Sequence, residues 1–247
     1  EDPRIEADLA AADAINDELA RLEGRLIATR DRPEELGGIL DHGVQLYEEA
    51  TDALWAVGAY ASLAASTARD DPAWSKFEAD LRARSSQIGA KSLFFTLEIN
   101  QLEDGELEAA LKAHPAAQRW RPWLRRVRAN RPHELSADLE RLLIDKAPAV
   151  ANWVRLFDET LARLSAKIEG ETLTLPELLN RMSDPAPGSR KAGAQALAKA
   201  LAERAPTLAL SLNTLAFEKQ VEDRWRKYPT PAASRHLANE VDAEAVE

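Results

Sequence analysis

Histidine and carboxylate side chains are where hydrolytic chemistry would begin in this sequence. Zinc-assisted hydrolysis needs imidazoles four residues apart on one helix face, with an open coordination position for water. The chain has four histidines, His42, His114, His133 and His236, and no two lie within four residues of each other. His133-Glu134 opens a His-Glu-x-x-His pattern, but the second ligand position is Ala137. His133 also follows Pro132, ahead of a helix that Ser136 caps, and reads as a hydrogen-bonding loop histidine. His42, beside Asp41, reads as a solvated helix residue. Thiol chemistry is excluded because there is no cysteine. No Gly-x-Ser-x-Gly elbow and no phosphate-cradling glycine loop occurs, and Gly37-Gly38 and Gly188 read as turn glycines. The carboxylate pairs Glu34-Glu35 and Glu48-Glu49 sit where solvated helix faces are expected. The expectation is that no residue of this chain is catalytic, cofactor-binding or metal-ligating.

Two other groups of residues could carry function. Arg119, Arg121, Arg125, Arg126, Arg128 and Arg131 surround Trp120 and Trp123, a pattern that can bind anions or nucleic acid. Helical spacing favours a different reading. Trp120, Trp123, Leu124 and Val127 form one apolar stripe, while Arg121, Arg125 and Arg128 line another face and pair with the many acidic residues. A positive patch facing the carboxylate end of a peptide is the functional alternative. Glu98 and Asn100 follow the apolar run Leu93-Phe94-Phe95. A buried carboxylate must be paired or hydrogen-bonded, which makes this a structural junction rather than a catalytic one.

The elements that position these residues are helical. Ile5, Leu9, Ala12, Ile15, Leu19, Leu22 and Leu26 recur in steps of three and four, predicting one helix that starts at the Asp2-Pro3 cap. A second helix from Pro33 carries Leu36, Leu40, Gly43, Tyr47, Ala50, Leu54, Val57 and Ala61. A third, capped at Asp71-Pro72, presents Trp74, Phe77, Leu81, Ile88 and Phe95. These three predict a long antiparallel bundle over residues 1–100. Residues 101–247 predict shorter packed helices, with the later prolines as boundaries. Residues 167–174 allow one minor β-hairpin turning at Gly170, and 183–189 reads as a loop. Residues 241–247 read as the start of a further amphipathic helix. The fold class is all-α.

With net charge −10 the chain repels phosphate backbones and anionic lipid, so nucleic acid and membrane are not expected partners. No apolar run is long enough to cross a bilayer. The first residues do not form a signal peptide. The lack of cysteine suits a reducing, cytoplasmic compartment.

Several stretches together resemble the N-terminal half of the oligoendopeptidase F family. They are Leu93–Asn100; Trp120-Arg121-Pro122-Trp123-Leu124; Arg128; Arg131–Ser136; Glu140-x-Leu142-Leu143; Trp153 with Leu156–Thr160; Gly170-Glu171-x-Leu173-Thr174; Asp184-Pro185 with Arg190-Lys191; and Arg235–Glu240. The resemblance implies a parent enzyme that is a zinc metallopeptidase cleaving oligopeptides inside a largely helical shell, with its zinc on a His-Glu-x-x-His helix that this chain lacks. It implies that this chain is a non-catalytic wall of the substrate channel, and an N-terminal fragment whose partner is the missing catalytic half. A free-standing helical scaffold or interaction module is the alternative. If the chain is half of a shell, Leu208, Leu212, Leu215, Phe217 and Trp225 are expected to be poorly covered or to mediate self-association.

Overall fold

A computed structural model describes residues 3–67 and 71–246. It is about 80% helical, with one two-stranded hairpin, so the all-α expectation holds. The chain divides into two compact units: Glu1–Leu63, Phe77–Lys146 and Glu222–Glu247 in the first, and Ala64–Lys76 and Ala147–Val221 in the second.

In the first unit, α1 (Pro3–Ala20) buries Ile5, Leu9, Ala12 and Leu19, as its spacing requires. Asp2, the expected cap, lies outside the described residues. The helix does not run on to Leu26. It stops at Ala20, Gly24 takes a left-handed φ of 78°, and a single turn, α2 (Arg25–Ala28), follows. Leu22 and Leu26 stay buried despite the break, because the turn returns both to the same core.

The next helix, α3 (Pro33–Thr67), buries Leu36, Ile39, Leu40, Val44, Ala50, Val57 and Ala61. Gly37 is helical rather than in a turn. A Cβ there would stand 2.3 Å from the His114 Cβ and 2.7 Å from the Ala110 carbonyl oxygen, so the glycine allows close packing. Asp71 caps α4 (Pro72–Ala90) by accepting the Ala73 N–H at 2.8 Å. The expected third helix breaks at Lys91-Ser92. Lys91 is held by Asp13 and Asp17, each at 2.6 Å, the Ser92 hydroxyl donates to the Gly89 carbonyl, and α5 (Leu93–Gln101) begins afresh.

Two shorter helices complete this core, α6 (Asp104–Ala113) and α7 (Arg121–Ala129), joined by a 3-10 turn over Pro115–Trp120. Phe95, fully buried, lies 6.2 Å from the Tyr47 ring and 6.4 Å from Trp123. A second cluster gathers Ile5, Leu9, Val57, Ala61 and Leu81.

Two long helices contradict the expectation of short helices bounded by prolines. They are α8 (Ala137–Ala162) with Pro148 inside it, and α10 (Pro187–Trp225) with Pro206 inside it. Proline costs a helix one hydrogen bond and some crowding, but at these lengths the flanking turns hold it.

In the second unit, β1 (Ser165–Ile168) pairs antiparallel with β2 (Glu171–Thr174). Glu169 and Gly170 both have positive φ, 53° and 88°, which the tight hairpin turn demands. Thr174 and Glu177 form a capping box that starts α9 (Leu175–Arg181). Leu164, Ile168, Leu173, Leu178 and Leu197 form the core of this unit. The loop is shorter than 183–189, because Pro187-Gly188-Ser189 already form the first turn of α10. Asp184 anchors that turn, accepting the Ala186 N–H at 2.8 Å and the Ser189 hydroxyl at 3.0 Å, and these bonds hold its carboxyl below the usual carboxylate range. Arg190 donates to the Asp184 and Pro185 carbonyls at 2.9 and 2.8 Å, so the Asp184–Arg190 motif is a helix-start device.

The end of the described chain differs from the reading. After α11 (Ala233–Ala238), Glu240 takes φ 53° and the Val241 N–H bonds the His236 carbonyl at 3.0 Å, closing the helix. Residues 241–246 form an extended stretch and one 3-10 turn instead of a further helix.

Candidate functional site

The polar residues singled out by sequence converge on the ends of α5 and α7 in the first unit. Glu98 is buried, and one of its carboxylate oxygens accepts the Gly24 N–H at 2.5 Å. It sits at the N-terminus of α2, where unpaired N–H groups point outward. Burial pushes its carboxyl up, and the Gly24, Leu26 and Ile27 N–H groups only partly offset that cost. Asn100 donates to the Val127 carbonyl at 3.2 Å and to the Glu134 carboxylate. Both residues join helices.

The arginine cluster divides into individual ion pairs. Arg128, nearly buried, donates to the Ile99 and Leu102 carbonyls, each at 2.9 Å, and to Asp104. It thereby satisfies the last carbonyls of α5 and opposes the negative end of that helix. Arg121 grips Glu108 with two bonds, Arg119 meets Asp41 at 3.1 Å, Arg126 meets Glu240 at 2.7 Å, and Arg131 meets Glu103 at 3.6 Å. The Trp120 indole N–H also donates to Asp41, at 2.7 Å, while Trp120, Trp123, Leu124 and Val127 pack on the first core. The apolar-stripe reading of this helix holds, and the charges needed for an anion surface are mostly committed to carboxylates.

His133 is a half-buried 3-10 residue whose ring stacks on Tyr228 at 4.0 Å. Its Nδ1 lies 2.8 Å from the Arg226 carbonyl oxygen. A carbonyl only accepts, so the Nδ1 position carries the proton. Arg226 closes the network. Two of its nitrogens reach the Glu140 oxygens at 2.7 and 2.8 Å, another reaches Glu222 at 2.6 Å, and one also donates to the His133 carbonyl. Burial pushes the Glu140 carboxyl up, but Arg226 and the Leu135 N–H together hold it below its ordinary value. Burial and the charge of Glu140 raise Glu134, although Asn100 opposes them. Arg226 itself is held well above its ordinary value, first by Glu140.

Sequence reasoning missed this clamp. Glu140 and Arg226 are 86 residues apart, and neither residue's local pattern points to the other. Lys227 at φ 59° ends α10, and the Tyr228 N–H bonds the Asp223 carbonyl at 2.9 Å. With no glycine there, the cap signal was silent.

Among the described residues no three His, Cys, Asp or Glu side chains stand together so as to hold a metal ion. His42 is exposed, 3.5 Å from Glu18, and His114 closes α6 over Gly37. Among the described residues, then, no group of side chains fits a zinc ion. The expectation of bare apolar side chains late in α10 is met at Leu212, Phe217 and Trp225, which are 66%, 66% and 55% exposed, whereas Leu208 and Leu215 are half-buried.

Residues 98–165 match the Oligopeptidase F family, the N-terminal region of M3 peptidases, and so bear out the resemblance read from the sequence. The fold is that of the corresponding part of the crystal structure of oligoendopeptidase-F from Enterococcus faecium, with a TM-score of 0.81 at 18% sequence identity. That likeness covers 98% of this chain and 48% of the other, so this chain spans about half the length of its structural relative. No curated protein matches the sequence.

Proposed function

We propose that this chain is the N-terminal, non-catalytic part of an oligopeptide-cleaving zinc metalloendopeptidase of the oligoendopeptidase F type, and that it forms one wall of the substrate channel. The observation that supports this most is the pairing of a family match over 98–165 with a shared fold over about half of the relative's length. The parent's zinc and its attacking water belong on the other half, since no group of side chains described here suits a metal. A closed helical shell excludes folded proteins and admits short extended peptides, so this chain contributes size selection and water exclusion. The late face of α10 suits contact with the other half: over residues 205–217 it carries no charge, and Leu212 and Phe217 lie bare. No helix among the described residues is long and apolar enough to cross a membrane. With no cysteine in the chain, we place the enzyme in the reducing cytoplasm.

Reading the gene beyond codon 247 tests the proposal. A frame that continues into a His-Glu-x-x-His helix supports it. A stop codon there leaves a helical interaction module instead.

A further inference from the structure

The polar cluster around Asn100 in the first unit leaves one buried atom unpaired. Asn100, near the end of α5, is 3% exposed, so both polar atoms of its amide need partners inside the protein. Its Nδ2 group has two, donating to the Val127 carbonyl and to the Glu134 carboxylate. Its Oδ1 atom is buried and has no partner among the described residues. A buried acceptor left unpaired is costly, so its survival needs a reason.

Glu134 is the titratable group already in contact with this amide. An ionised carboxylate can only accept, so it serves Nδ2 and gives Oδ1 nothing. A protonated carboxyl does both, accepting the amide N–H and donating its own O–H to the amide oxygen. The surrounding charges favour the same form. Glu140 on α8 faces Glu134 with a negative charge, while Arg131 and Arg226 face it with positive ones. Both cations are engaged elsewhere. Arg226 gives two bonds to Glu140 and one to Glu222, and Arg131 lies 3.6 Å from Glu103. Ionised, Glu134 becomes a third carboxylate beside one guanidinium. The neighbouring His133 ring gives its Nδ1–H to the Arg226 carbonyl and stacks on Tyr228.

We propose that Glu134 is a proton-operated latch, whose carboxyl O–H donates to Asn100 Oδ1 when closed and whose deprotonation loosens the end of α10. The cluster ties the 131–135 turn and the first turn of α8 to the end of α10. Arg226 makes that tie through the His133 carbonyl and Glu140, and Tyr228 adds its stacking on His133. With the proton on, Asn100 anchors Glu134 to α5, and Arg226 belongs to Glu140 and Glu222. When the proton passes to a base in solution, the new carboxylate repels Glu140 and competes for Arg226. Burial and the Glu140 charge make the folded state hold this proton more tightly than the unfolded chain does. The latch is therefore fully closed below the unfolded glutamate value and opens as pH rises through the folded one.

Carboxyl-carbon NMR of the 247-residue chain from about pH 4 to about pH 8 tests this. The Glu134 signal, assigned by its loss in Glu134→Gln, should titrate above the ordinary glutamate value. The Asn100 side-chain N–H signals should shift along the same curve. Amide exchange at 222–228, corrected for the intrinsic effect of pH, should quicken severalfold across that midpoint. Glu134→Gln holds the pairing of the protonated form permanently, donating to Oδ1 and accepting from Nδ2, so its corrected exchange should stay slow throughout. A Glu134 carboxyl that titrates at or below the ordinary value overturns the proposal. So do Asn100 signals that ignore that titration, or a Glu134→Gln chain whose exchange quickens with pH as the wild type's does.

Discussion

Residues 93–129 and the helices α8 and α10 are built from similar proportions of leucine and charge, yet they differ in how far the chain itself completes them. Over 93–129, Phe95, Ile99, Leu102, Leu107, Leu111 and Leu124 are buried, and Arg119, Arg121, Arg126 and Arg128 meet carboxylates. By contrast α8 buries none of its 26 residues, and α10 buries only Gly193, Leu197 and Ser211 of its 39. Helices in water draw most of their stability from burying an apolar face. A region that buries its face is finished within this chain. Helices that leave Phe157, Leu210, Leu212 and Phe217 bare carry residues that their own chain does not use.

Truncating each region should separate them most widely. Phe95→Ala removes a ring from a closed core and should cost about 3–5 kcal/mol, whereas Phe217→Ala should stay within about 0.5 kcal/mol. Urea unfolding of both variants checks this, and equal costs would erase the distinction.

Arg226→Met comes next. It strands Glu140 in a nearly buried position, where the two side chains are 18% and 12% exposed. The loss should be about 2–3 kcal/mol, below that of a fully dry pair because water still reaches the rim. Hydrogen exchange should then accelerate at 222–228. An unchanged exchange pattern would mean that the clamp holds nothing.

The pH dependence is smaller and has two signs. Glu140 is depressed in the folded state, so its stabilisation is present above its unfolded value and is lost as pH falls through the folded one. Glu98 is raised, so protonation favours the folded state, and stability rises as pH falls from its folded value toward its unfolded one. Urea midpoints from pH 7 to pH 3 should therefore fall less steeply in Glu140→Gln and lose an early rise in Glu98→Gln. Profiles parallel to the wild type in both variants would contradict these environments.

The smallest effect is expected from Leu212→Asp with Phe217→Asp. Stability should move by no more than about 0.5 kcal/mol, while binding of a hydrophobic dye falls, because both side chains lie on open surface. A cooperative loss of folding would show that this face is needed within the chain.

The seam from Ile5 to Leu26 and the Trp120–Val127 stripe were legible in the sequence because periodicity reports burial directly. The hairpin was legible from Gly170, and the junction at Glu98 from the need to pair a buried carboxylate. The breaks at Gly24 and at Lys91-Ser92 were not, since the apolar rhythm continues through both. Pro148 and Pro206 misled because a long helix tolerates one missing hydrogen bond. The caps at Lys227 and Glu240 use left-handed non-glycine residues, for which composition gives no signal. The Arg226–Glu140 clamp is purely a product of tertiary folding.

Hydrolysis of a quenched fluorescent peptide tests the proposal that this chain shapes a peptidase without performing its chemistry. The purified 247-residue chain is assayed with zinc, alone and after addition of the proposed catalytic half, before and after a chelator. The chain alone should be silent, and the two halves together should show chelator-sensitive cleavage. Chelator-sensitive turnover by the 247-residue chain alone would contradict it.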